Sequence, residues 1–140
     1  MIILDTNVLS ELMRPSPSQS VSAWVAKQSA AELSTTSITE AEIFYGIELL
    51  AKGKRREQLL AAADAMFNED LRGRVYAFDE DAARVFAKIA VRRRGVGRPI
   101  SHADAQIAAI AQVRRAKLAT RNVEDFRDCG IELVDPWTSS

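Results

Sequence analysis

The chain is poor in the residues that many functional sites require. It has one cysteine, Cys129, and one histidine, His102. A disulfide framework and a Cys/His zinc site are therefore excluded. Any metal site in this chain must be built from carboxylates and other oxygen ligands.

Charge of one sign is also lacking, because 19 Lys+Arg balance 19 Asp+Glu. A net charge of zero gives no global sign of a nucleic-acid binder. The first apolar run, 2–4, is too short for a signal peptide, and no run approaches the roughly 20 apolar residues of a membrane span. We therefore expect a soluble cytoplasmic protein that contacts no membrane.

What the sequence does contain is enough apolar material for one folded domain. Of its 140 residues, 47% are hydrophobic and 27% are charged. This composition is typical of a globular domain and unlike that of a disordered segment. With no linker, repeat or low-complexity tract, we assign residues 1–140 to a single domain.

Short apolar runs alternate with longer amphipathic stretches. Strands are predicted at 1–4, 32–36, 75–78, 117–120 and 131–134, and helices at 6–13, 20–28, 38–52, 54–67, 79–94 and 101–114. Strands separated by helices predict an α/β fold, with a mostly parallel central sheet between two helical layers. In such sheets, ligands bind at the carboxyl ends of the strands.

Acidic residues stand where that rule places a site. Asp5 follows the first strand, Glu42 lies early in the third helix, and Asp104 lies in the first turn of the last helix. Each also has an ordinary structural interpretation. Asp5 would cap a helix, Glu42 would form a capping box with Thr39, and Asp104 would favour the helix dipole.

A fourth polar cluster, 119–126, follows the strand at 117–120 and contains Asn122 and Asp125. Carboxylates that converge at one edge would repel one another and raise each other's pKa values, which a bound divalent cation relieves. Hard oxygen ligands without His or Cys favour Mg²⁺ or Mn²⁺. Sites of this type hydrolyse phosphodiesters, with the ion polarising the phosphoryl oxygen and activating water.

The motifs 3–7, 39–42 with Gly46, 101–104 with Ala108, and 119–122 with 125–126 resemble those of the PIN-domain family. They are most similar to those of VapC/FitB-type ribonuclease toxins of type II toxin–antitoxin pairs, as is the closing pair Pro136-Trp137. The likeness covers the whole chain and keeps the order of the motifs.

The resemblance implies a three-layer α/β/α PIN-like sandwich and an endoribonuclease that depends on Mg²⁺ or Mn²⁺. It implies Asp5, Glu42 and Asp104 as catalytic metal ligands, with Thr6 orienting the site. Where many members carry a fourth acid, this chain has Asn122. Three arrangements therefore stay open: Asn122 holds a water on the ion, Asp125 substitutes, or three acids hold a single ion.

The resemblance also implies partners. It implies a homodimer and a cognate antitoxin that occludes the active site, with DNA bound only indirectly through that antitoxin. Basic residues could bind the RNA substrate or could simply form solvated helix faces. The candidates are Lys52, Lys54, Arg55, Arg93, Arg94 and Arg98.

Two other functions compete with the ribonuclease. The first is a non-catalytic PIN-like module that binds RNA or a protein partner, which the departure at Asn122 motivates. The second is a phospho-acceptor receiver domain. It fits the fold class, but Asp5 stands without the adjacent acid that such domains use.

Overall fold

A computed structural model describes residues 1–139 and contains one five-stranded parallel sheet. The strands are β1 (Ile2–Leu4), β2 (Leu33–Thr36), β3 (Val75–Tyr76), β4 (Lys117–Ala119) and β5 (Leu133–Val134), in the spatial order β3-β2-β1-β4-β5. All four neighbouring pairs are parallel. The predicted fold class is confirmed, and β1 is the central strand.

Six α-helices connect the strands. They are α1 (Thr6–Leu12), α2 (Gln19–Ala26), α3 (Ser37–Glu48), α4 (Lys54–Ala65), α5 (Glu80–Gly95) and α6 (His102–Val113). Three short segments complete the chain: 3₁₀ turns at Ala30–Glu32 and Val123–Phe126, and a π-helical turn at Met66–Asp70. None of these helices is both long and apolar enough to cross a membrane.

The two faces of the sheet bury separate hydrophobic clusters. Ile2 and Leu4 of β1 pack with residues of α1 to α4, whereas Ile3 packs with residues of α5 and α6. Because neighbouring side chains of a strand point to opposite faces, three consecutive apolar residues in β1 serve both layers. This produces the α/β/α sandwich.

Strand β2 is polar in sequence yet buried. The hydroxyl of Ser34 donates to the carbonyl of Ile2 at 2.9 Å, and that of Thr35 donates to the carbonyl of Leu4 at 2.7 Å. These bonds satisfy hydroxyls that would otherwise be costly to bury. They also attach β2 to β1 just before the site at the end of β1.

The predicted capping box at 39–42 is wrong. Helix α3 begins at Ser37, and Thr36 caps it by accepting the N–H of Thr39 at 3.1 Å. Thr39 lies within the helix and is fully buried. Because the helix starts at Ser37, Glu42 lies in its second turn. The helix starts earlier because β2 ends in two threonines, and Thr36 already supplies the capping oxygen.

Candidate active site

The site lies at the point of the sheet where the order in which successive strands are added reverses. The chain places β2 and β3 on one side of β1 and β4 and β5 on the other, so the ends of β1 and β4 mark the switch point. Asp5 follows β1 and Thr120 follows β4. The Thr120 hydroxyl donates to Oδ2 of Asp5 at 2.7 Å, which joins the two strand ends.

Asp5 is buried and fixed by three donors. The N–H of Thr6 donates to Oδ1 at 2.8 Å, while Thr120 and the Asn7 amide donate to Oδ2. Burial nevertheless raises the pKa of Asp5 above its usual value, and the charge of Glu42 adds to this. The helix-capping role of Asp5 is present, and it is compatible with a position in the cleft.

Thr6 connects the first carboxylate to the second. Its hydroxyl donates to Oε1 of Glu42 at 2.6 Å, and its oxygen lies 3.1 Å from the Thr39 hydroxyl. Helix α1 is thereby tied to α3 by side chains at the mouth of the site. Glu42 itself is exposed, with its carboxylate facing the cleft.

Asp104 supplies the third carboxylate, from the first turn of α6. Ser101 caps this helix by accepting the Asp104 N–H at 3.2 Å. Partial burial raises the pKa of Asp104 to about 6, and the charges of Asp5, Asp125 and Glu42 add to the rise. The field of several acids therefore acts on this one carboxyl group.

The three predicted acids line a single cleft of about 560 Å³, called here the acidic cleft. Asn122 also lines it, whereas Asp125 is not among its lining residues. The full lining is Asp5, Thr6, Asn7, Ser10, Glu11, Arg14, Glu42, Asp104, Arg121, Asn122 and Trp137.

The donor chemistry of the acidic cleft fits a hard divalent cation, because carboxylate and amide oxygens are the ligands that Mg²⁺ and Mn²⁺ prefer. Such an ion would also relieve the repulsion from neighbouring acids, which adds to burial in raising the pKa of Asp104. Within residues 1–139, however, no three Asp, Glu, His or Cys side chains converge closely enough to form a ready-made cluster.

The raised pKa of Asp104 predicts how stability depends on pH. An acid whose pKa is about 6 in the folded chain and 3.8 when unperturbed holds its proton more tightly when folded. The stability it contributes is therefore present at low pH and lost as the pH rises from about 4 to about 6. In chelator, Asp104→Asn should raise the melting temperature more at pH 7.5 than at pH 4.5.

Calorimetry at the two pH values measures this difference. The control is Asp64→Asn, which makes the same change at an exposed position of α4. We expect its effect to be small and equal at both pH values. A gain for Asp104→Asn that does not depend on pH would contradict the assigned pKa.

The basic candidates lie at different places relative to the acidic cleft. Arg55 lines a groove beside the acidic cleft. Lys52, Lys54 and Arg94 are exposed and are not among the lining residues of the cleft. Arg98 forms an ion pair with Glu124 at 2.9 Å.

The prediction that Arg93 binds RNA is wrong. Arg93 is only 4% exposed, and its guanidinium donates to the backbone carbonyls of Arg98 and Asp125 at 2.7 and 2.6 Å. It therefore fastens the end of α5 to the turn at 123–126. This role could not be predicted from the basic run 92–94, because the sequence does not show which of the three arginines faces inward.

Several residues of the acidic cleft were not predicted. Thr120 and Asn7 hold Asp5, while Glu11, Arg14, Arg121 and Trp137 form another part of the wall. The position of Thr120, directly after a strand at the switch point, could have revealed it. Glu11 and Arg14 carry no such signal, since they lie at or beyond the end of α1.

Comparisons with known proteins agree with this architecture. Residues 2–131 match the family model described as PIN domain. The chain is 36% identical to VapC ribonuclease Y4jK of Sinorhizobium fredii, over 98% of each chain. It is 34% identical to Toxin FitB of Neisseria gonorrhoeae, over 98% of this chain and 99% of that one.

A solved structure of FitAB bound to an IR36 DNA fragment superposes with a TM-score of 0.93 at 34% identity. The match covers 100% of this chain and 98% of the other. The sheet order, the acids at the switch point and the similarity to these relatives all point to the same family. This chain belongs to the PIN-domain family and is similar to its VapC and FitB members.

Proposed function

We propose that the protein is a metal-dependent endoribonuclease and the toxin of a toxin–antitoxin pair. One observation carries the proposal: Asp5, Glu42 and Asp104 come from three separate elements and line one cleft at the switch point of the sheet. The printed names of the relatives, VapC ribonuclease and Toxin FitB, support the substrate class and the role.

In this proposal Asp5, Glu42 and Asp104 hold Mg²⁺ or Mn²⁺, and Asn122 is the fourth candidate because it lines the same cleft. When bound, the ion polarises the phosphoryl oxygen and stabilises charge on the leaving oxygen. Thr120 and Asn7 fix the orientation of the Asp5 carboxylate, and Thr6 fixes that of Glu42. These hydrogen bonds keep the ligands pre-oriented.

The direct test is cleavage of RNA by the purified protein with Mg²⁺ or Mn²⁺, and again after chelation. We expect cleavage that stops in chelator and returns when Mn²⁺ is added, because repelling carboxylates need the cation to hold a phosphodiester. Activity that persists in chelator would refute the metal dependence. RNA binding without cleavage under every metal condition would favour the non-catalytic module.

A protein partner, the antitoxin, is proposed to cover the groove beside the acidic cleft. This groove, of about 600 Å³, is lined largely by apolar side chains of α3, α4 and the segment that follows α1, including Met13, Ile47 and Leu59. It shares Glu42 with the cleft, so an apolar segment seated there would also close the site. FitAB, in complex with DNA, is one of the superposing structures. In our proposal DNA contacts are left to the antitoxin.

Gly46 provides a test of this groove. It lines the groove on α3, and a Cβ built there meets no atom within 4 Å. Gly46→Phe should therefore fold but fill the groove, and should weaken antitoxin binding at least about tenfold by excluding the partner's side chains. Calorimetric titration with the antitoxin measures the affinity.

The matched control is Ala61→Phe, an exposed position of α4 that is not among the groove-lining residues. It should bind the antitoxin as the wild type does. Equal affinity of both variants would place the partner elsewhere.

The homodimer stays a prediction, which light scattering on the purified chain checks.

A further inference from the structure

The RNA-binding cations expected from the sequence do not account for how a polyanion enters the acidic cleft. Its lining contains four carboxylates but only two cationic side chains, Arg14 and Arg121. Neither arginine belongs to the basic runs at 52–56 and 84–98. A phosphate backbone needs positive charge near the place where it binds.

We propose that Arg121, placed over the Trp137 ring, and Arg14, held by Glu11, form the subsite that binds RNA phosphates next to the acidic centre. The proposal rests on the proposed function in taking RNA as the ligand. It assigns the substrate contacts to Arg121, which lies within the motif 119–122, and to Arg14, which follows the motif 3–7. Cleavage itself is left to the carboxylates.

Arg121 is positioned before any substrate arrives. Its guanidinium carbon lies 4.9 Å from the centre of the Trp137 ring, and its backbone N–H donates to the Asn7 side chain at 3.1 Å. Trp137 in turn packs against the core, and its backbone N–H donates to the Asp135 carboxylate at 2.9 Å. A guanidinium already held over a ring loses little freedom when it binds a phosphate.

Arg121 acts on a neighbouring carboxylate without forming an ion pair. Its charge adds to the effect of the Ser18 N–H in lowering the pKa of Glu11. Among residues 1–139, however, its guanidinium lies within 4.0 Å of no carboxylate oxygen, although carboxylates line the same cleft. A contact with the Trp137 ring leaves the N–H groups of the guanidinium able to pair with phosphate oxygens. This is the arrangement expected of a residue that recognises an anionic ligand.

Arg14 is held by the carboxylate of Glu11. Its Nη1 lies 3.3 Å from both carboxylate oxygens of Glu11, and 65% of its side chain is exposed. Glu11 is itself buried, and the N–H of Ser18 donates to it at 2.8 Å, which lowers its pKa. Glu11 thus stays ionised and anchors one end of the Arg14 guanidinium, leaving the rest for substrate.

The experiment measures binding separately from cleavage. All variants are made in an Asp104→Asn background. Affinity for a fluorescent single-stranded oligoribonucleotide is measured by anisotropy from roughly 50 to 300 mM salt, a range over which the Debye length falls by a factor of about 2.4. Arg121→Gln and Arg14→Gln should each weaken binding about tenfold. Each should also reduce the slope of log K against log salt by about 0.7, because one phosphate contact is lost.

The control for charge is Arg72→Gln, which removes an exposed arginine that lies outside the cleft lining and should change affinity little. Trp137→Phe should retain most of the affinity and Trp137→Leu should lose it, since only the former keeps a ring under Arg121. Thermal melts confirm that each variant is folded.

The outcomes separate this inference from the proposed function. Wild-type affinity and salt slope in both Arg14→Gln and Arg121→Gln would overturn the subsite, even if the protein cleaves RNA. Arginine-dependent binding, combined with a wild-type protein that cleaves no RNA under any metal condition, would support the subsite and refute the nuclease. Loss of affinity in Arg72→Gln equal to that in Arg121→Gln would show unspecific charge attraction and would also overturn the subsite.

Discussion

Asp104→Asn is expected to lower the rate of RNA cleavage by at least about 100-fold, since even residues that only orient metal ligands affect activity by 10- to 100-fold. The substitution keeps the size of the side chain and removes its charge. Asp104 has a pKa of about 6 because it is partly buried, and the charges of Asp5, Asp125 and Glu42 add to the rise. Losing this charge should weaken binding of the cation, which in our proposal is held jointly by Asp5, Glu42 and Asp104.

The measurement is single-turnover cleavage of a defined RNA in Mn²⁺, with Asp5→Asn tested beside it. Asp128→Asn is the matched control, because Asp128 is exposed and has a φ of 61°, a conformation that asparagine also tolerates. The control should cleave as fast as the wild type. Full activity of either Asp5→Asn or Asp104→Asn would sink the assignment of the site.

Asp125→Asn addresses the fourth ligand. Asp125 is not among the residues that line the acidic cleft, whereas Asn122 is. Asp125 acts on Asp104 by its charge, and its carbonyl is engaged by Arg93. We therefore expect Asp125→Asn to lower the rate less than Asp104→Asn does. A loss as large as that of Asp104→Asn would favour Asp125 as a ligand.

Mn²⁺ is expected to raise the melting temperature of the wild-type protein substantially and that of Asp104→Asn very little. An ion that binds only the folded chain stabilises it by about 2.7 kcal/mol at 100 times its dissociation constant. For a chain of this size that corresponds to roughly 5–10 °C. The reason is that the ion replaces repulsion among three carboxylates by attraction.

This result is read by scanning calorimetry in chelator and in Mn²⁺, without any RNA, so it tests the metal site apart from the activity. Without metal, Asp104→Asn should melt above the wild type at neutral pH, because one repelling charge is gone. In Mn²⁺ the order should reverse. Equal Mn²⁺ shifts for the two proteins would contradict a cation site that includes Asp104.

Much of the fold could be predicted from the sequence. Strand β1 begins at Ile2, and the predicted helix 101–114 is observed as α6 at His102–Val113. These elements follow from local patterns, which are apolar runs of strand length and apolar residues at helical spacing. The start of α3 could not be read in this way, since Thr36, Ser37 and Thr39 are all plausible caps and only the end of β2 selects Thr36.

The acids of the site were also accessible from sequence, but their connections were not. Asp5 and Asp104 follow a strand and a helix cap, which are positions visible in the chain. The bonds from Thr120 to Asp5 and from Thr6 to Glu42 join residues that are 115 and 36 positions apart. No local pattern encodes such pairs, because they depend on which strands become neighbours.

By itself the sequence determined that any metal chemistry must use oxygen ligands, since it offers a single histidine and a single cysteine. It also placed the acids at the ends of secondary-structure elements. Only the tertiary structure decided what the basic residues do. Arg93 turns inward to bind carbonyls, whereas Arg14 and Arg121 face the acidic cleft. The direction of a charged side chain is set by the packing of distant elements, which composition and spacing do not record.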